Sequence, residues 1–72
     1  SEYTKKIKQY YANLEVPFNS DFETVKKAYR KLMKKYHPDF YGNDKEKQKT
    51  ANDVCKKLSE AYEGLKKYLN AK

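Results

Sequence analysis

The chain's most regular amphipathic stretch is cut at its C-terminal end by His37-Pro38-Asp39, and this break constrains the fold more than any other feature. Residues 21–40 read DFETVKKAYRKLMKKYHPDF. Phe22, Val25, Tyr29, Leu32 and Tyr36 recur every three or four positions, with Met33 beside them, which makes one stripe on a helix. At ~100° per residue, Lys26, Lys27, Arg30, Lys31, Lys34 and Lys35 fall on the rest of the circumference. Pro38 has a fixed φ and no amide proton, and it pushes His37 out of the helical region. The helix is therefore expected over about 21–36. A polar loop over about 37–44 follows, presenting an imidazole and a carboxylate at the end of a basic rod.

The rest of the chain supplies partners for that apolar stripe. Tyr3, Ile7, Tyr10, Tyr11 and Leu14 predict a first helix over about 1–14, with Ser1 as a possible N-cap. Pro17 argues against its continuation. The second helix has two candidate caps, a Ser20–Glu23 capping box or Asp21. Gly42 and Asn43 are both able to take positive φ in the turn after Asp39. Ala51, Val54, Cys55, Leu58, Ala61, Tyr62, Leu65 and Leu69 predict a third helix over about 45–69. Gly64 inside it costs ~1 kcal/mol relative to Ala, either as a weak point or to admit a close approach by the first helix. Short connections between striped helices favour an antiparallel hairpin of the second and third, with the first packed across it. The expected class is all-α, one domain over residues 1–72.

Four segments together resemble the J-domain of DnaJ-type co-chaperones. They are Tyr10-Tyr11 with Leu14 to Val16, Lys27-Ala28-Tyr29-Arg30-Lys31-Leu32, Tyr36-His37-Pro38-Asp39, and Glu60-Ala61-Tyr62-Glu63 with Leu65. The likeness runs from residue 10 to residue 69. It implies a three-helix J-domain fold without the family's brief fourth helix. It also implies a module that binds a DnaK-type chaperone and stimulates its ATP hydrolysis, with no catalysis or cofactor of its own. In that scheme Asp39 pairs with a basic residue near the partner's interdomain linker, while His37 and Pro38 hold the loop's shape. Lys26, Arg30 and Lys31 match positions the family sets against an acidic patch. Tyr29 matches one placed partly at the interface, although its spacing also puts it in the apolar arc. Three residues depart from the pattern. Phe40 stands where a basic residue is common, Cys55 where Phe is usual, and Glu15 where Gly is common at a left-handed helix stop.

Composition narrows the alternatives. Seventeen Lys and Arg against ten Asp and Glu leave a formal charge of +7. Most of the excess sits on the second helix, where residues 22–36 carry six basic residues and only Glu23 as an acid. Such a face suits an acidic protein, nucleic acid or an anionic membrane. A basic nucleic-acid-binding helix is the competing reading, but it leaves the His-Pro-Asp loop without a purpose and shows no base-reading side chains. A degenerate J-like scaffold without stimulating activity is the other. Neither nucleic acid nor a membrane is expected as a partner of this stretch, and a monomer is expected. One cysteine allows no intrachain disulfide, which fits the cytoplasm or another reducing compartment. One Cys and one His do not make a tetrahedral metal set. Cys55 is read as a small core residue, and the tyrosines mostly as core. The chain does not open with Met, which fits a piece of a larger protein.

Overall fold

The side-chain oxygen of Ser1 accepts the Thr4 N–H at 3.2 Å and starts helix α1, Glu2–Asn13. The computed structural model describes residues 1–70. The end of α1 corrects the expectation built on the missing glycine. Glu15 itself adopts the left-handed conformation, at φ +58°. Its N–H bonds the Ala12 carbonyl at 3.0 Å, and the Val16 N–H reaches back to Tyr11 at 3.2 Å. This pair of bonds is the Schellman stop, and Val16 packs against the core as that motif's apolar contact. A second left-handed residue, Asn19 (φ +67°), completes the connector.

Of the two candidate caps, Asp21 is the one used: its Oδ1 accepts the Thr24 N–H at 2.9 Å and opens α2, Phe22–Lys35. Ser20 instead donates its hydroxyl to the Pro17 carbonyl at 2.6 Å. Hydrogen bonds from Thr24, with Lys27 nearby, hold the Asp21 carboxyl below its ordinary pKa.

The segment expected as an open loop begins as helix. His37 is extended (φ −62°, ψ 130°), and a short 3-10 helix, Pro38–Tyr41, follows directly. Proline is well suited to a first helical position, because its φ is preset and the missing N–H would have had no partner there. The Phe40 N–H closes the turn on the His37 carbonyl at 3.1 Å. Gly42 takes a positive φ of 50°, while Asn43 does not. Asp44 caps the Lys47 N–H at 3.0 Å, and α3 runs Lys45–Asn70.

Both α1 and α2 run antiparallel to α3. Tyr3 meets Tyr68, and Tyr10 lies on Gly64. Phe22 meets Tyr62, and Tyr36 meets Cys55. The hairpin of α2 and α3 and the packing of α1 thus take the expected form, all-helical and without strands among the described residues. Ile7, Tyr11, Leu14, Val25, Leu32, Leu58, Ala61 and Leu65 form the core. Each large apolar side chain buried there stabilises the fold by ~1.5–3 kcal/mol. Tyr11 is 1% exposed, and its hydroxyl emerges only far enough to donate to the Ser20 carbonyl at 3.3 Å. Desolvation, with Tyr68 adding to it, pushes the Tyr11 pKa up.

Cys55 is a correction. It lies half-buried at the edge of the core, and its thiol donates to the Tyr36 carbonyl at 3.3 Å. Gly64 resolves in favour of close approach, because an added Cβ would collide with Cε2 of Tyr10. At 26 residues α3 is ~39 Å long, against ~21 Å for the 14 residues of α2. Its first turns therefore outrun α2, and the 3-10 helix packs on them. The loop stands on that protruding end. Among the described residues no helix is long and apolar enough to cross a membrane.

Candidate partner-binding site

Helix α2 ends where Pro38 cannot donate, and the chain turns outward with its polar groups in solvent. The His37 side chain is 52% exposed and that of Asp39 is 92% exposed, while Pro38 is half-buried. Nδ1 of His37 accepts the Asp39 N–H at 3.2 Å and lies 3.5 Å from Asp39 Oδ2. These contacts need opposite protonation at one atom. A lone pair on Nδ1 takes the amide and fixes the neutral tautomer with its proton on Nε2; a proton on Nδ1 serves the carboxylate. Either way the imidazole is spent on the loop's own shape, and the carboxylate points away from the domain. Phe40 is 69% exposed, with its ring edge toward His37 at a centroid distance of 6.5 Å.

The basic residues divide into two flanks around α2. Lys26 and Arg30 lie beside Tyr29, on the side toward α3, and Lys26 is half-buried. Lys31 and Lys35 lie on the opposite flank, where they border a hollow of about 260 Å³ floored by Leu14, Ala28 and Leu32. Lys27 and Lys34 point outward between the flanks. Among the described residues no carboxylate comes within 4.0 Å of any α2 cation. None of them is therefore held in a close ion pair. Tyr29 resolves between its two readings as a shared residue. Its ring stacks on Tyr62 at 4.3 Å and 9°, its hydroxyl meets Ser59 Oγ at 3.2 Å, and it stays half-buried.

The loop thus follows directly on the C-terminal end of the helix that carries the cations. Sequence reasoning missed two residues that touch the loop from α3. The Gln48 side-chain amide donates to the Gly42 carbonyl, and the Cys55 thiol donates to the Tyr36 carbonyl just before His37. The first spans the six residues of the turn into α3, where no motif marks it, and the second joins residues brought together only by the hairpin. Beneath the 3-10 helix, Tyr36, Tyr41, Ala51 and Val54 line an open hollow of about 400 Å³.

With this geometry in place, comparison with known proteins is specific. The family model described as the DnaJ domain matches residues 9–70. The Chaperone protein DnaJ of Campylobacter jejuni subsp. jejuni serotype O:2 is 54% identical over 56 residues, covering 78% of this chain and 14% of that protein. The Chaperone protein DnaJ of Helicobacter hepaticus is 50% identical over the same shares. The Chaperone protein DnaJ 2 of Synechocystis sp. is 43% identical over 61 residues, 85% of this chain and 19% of the relative. The chain therefore spans less than a fifth of these relatives' length. No solved structure matches it. A three-helix bundle with His-Pro-Asp projecting from the hairpin end, matched over nearly its whole length, belongs to the DnaJ domain family.

Proposed function

We propose that this domain is the part of a co-chaperone that binds a DnaK-type chaperone and stimulates its ATP hydrolysis, with no catalysis of its own. The observation that carries the reading is the exposed Asp39 carboxylate just past the end of a helix whose cations form no ion pair, in a chain of this family. Asp39 pairs with a cation of the partner near its interdomain linker, in a charge-assisted bond. His37 and Pro38 hold the backbone that aims it. Lys26, Arg30 and Lys31, with the edge of Tyr29, meet an acidic patch on the same partner. Rim charges of this kind chiefly set on-rate and orientation, and salt screens them. The domain acts as a monomer, without nucleic acid, in the cytoplasm or another reducing compartment.

Separate His37→Gln and Asp39→Asn variants test the reading. Both are expected to abolish acceleration of a DnaK-type ATPase while leaving the circular dichroism spectrum unchanged, because neither side chain supports the core. A variant that accelerates hydrolysis as well as wild type sinks the assignment of the loop.

A further inference from the structure

The break at Pro38 leaves a carbonyl without a backbone donor. The Tyr36 oxygen would normally be reached by the amide of Asp39 or Phe40, but Asp39 N–H is held by His37 Nδ1 and Phe40 N–H by the His37 carbonyl. The thiol of Cys55 supplies the missing donor at 3.3 Å. At the far end of the 3-10 helix the Gly42 carbonyl is met in the same way, by the side-chain amide of Gln48. Gln48 and Cys55 are two helical turns apart and therefore lie on one face of α3. Buried Ala51 lies between them, beneath Tyr36 and Tyr41.

We propose that Gln48 and Cys55 are positioning residues: they tie the two ends of the 36–42 segment, which carries His37 to Asp39, to α3 and so keep it in the shape that triggers the partner. The proposal rests on the functional reading above. A loop freed at both ends samples other conformers, so fewer bound complexes hold Asp39 in the productive place. The α2 cations that steer the encounter are untouched, so complexes form at the same concentration. The loss therefore falls on maximal stimulation and spares the concentration needed for half of it.

The test uses Gln48→Met with Cys55→Val, which keep approximate size and remove both donors, and Cys55→Ser, which keeps a donor. Two readouts apply, with circular dichroism as the check on folding. In the free domain, ¹⁵N order parameters of residues 39–42 are expected to fall from about 0.85 to below ~0.6 in the double variant. Cys55→Ser keeps the wild-type order. Maximal stimulation of a DnaK-type ATPase is expected to drop about fivefold in the double variant at unchanged half-maximal concentration, and to be retained by Cys55→Ser. Unaltered order parameters, or unaltered maximal stimulation, in the double variant would overturn the proposal. Failure of the wild-type domain to stimulate would overturn the functional reading instead, and the order parameters would still decide whether α3 ties down the loop.

Discussion

Glu15 shows what a single residue can hide. A helix that ends on a left-handed residue usually has glycine there, and its absence argued for an end set by Pro17 alone. The completed Schellman bonds from Glu15 and Val16 outweigh the steric cost, so the glutamate is forced to φ +58°. That cost is ~1–2 kcal/mol for a side-chain-bearing residue, partly offset in a glycine variant by its greater unfolded-state entropy. Glu15→Gly is accordingly expected to stabilise the domain by about 0.5–1 kcal/mol, read as a raised urea midpoint at unchanged slope. Asp21, by contrast, was legible as one of two caps, since either choice satisfies the same first-turn amides. Its carboxyl pKa is lowered from 3.8 in the folded state. The charged cap therefore contributes stability above the unfolded value, and that contribution is lost as pH falls through the folded one. In acid titrations Asp21→Asn should lose less stability than wild type below about pH 4. An equal loss in both would mean that the cap's charge is irrelevant.

At the scale of elements, helical periodicity carried most of the information. Ile7, Tyr11 and Leu14, Val25 and Leu32, and Leu58, Ala61 and Leu65 were all readable as stripes and are the core. The unread parts are contacts between elements: the Tyr29–Tyr62 stack, the Cys55 thiol on Tyr36, and the 3-10 turn resting on the protruding end of α3. Spacing says which face a residue occupies; it does not say which atom on the neighbouring helix it will meet. Gly64 illustrates the difference, since sequence left it between weakness and close approach. Ala there gains ~1 kcal/mol of helix propensity but drives a methyl group into the Tyr10 ring, and overpacking costs ~1–3 kcal/mol. Gly64→Ala is expected to destabilise by about 1 kcal/mol in the wild-type background and to stabilise by a similar amount in Tyr10→Ala. Equal effects in the two backgrounds would show that Tyr10 is not what excludes a side chain at residue 64.

Across the whole molecule, charge and shape divide the labour. Five of the seven excess positive charges lie on α2, while the proposed trigger group is a single carboxylate carried past the helix end on a turn supported by α3. The candidate site residues were legible because proline marks the break and lysine marks the face. What supports the break was not, because the residues beneath it are ordinary members of a distant helix. The separation of steering from triggering is tested most directly by single-turnover ATP hydrolysis of a DnaK-type chaperone, titrated with wild type, Asp39→Asn and an Arg30→Ala/Lys31→Ala variant at fixed ionic strength. The cation variant is predicted to reach the wild-type maximal rate only at higher concentration, and Asp39→Asn to give no acceleration at any concentration. An Asp39→Asn domain that reaches the wild-type maximum would contradict the account.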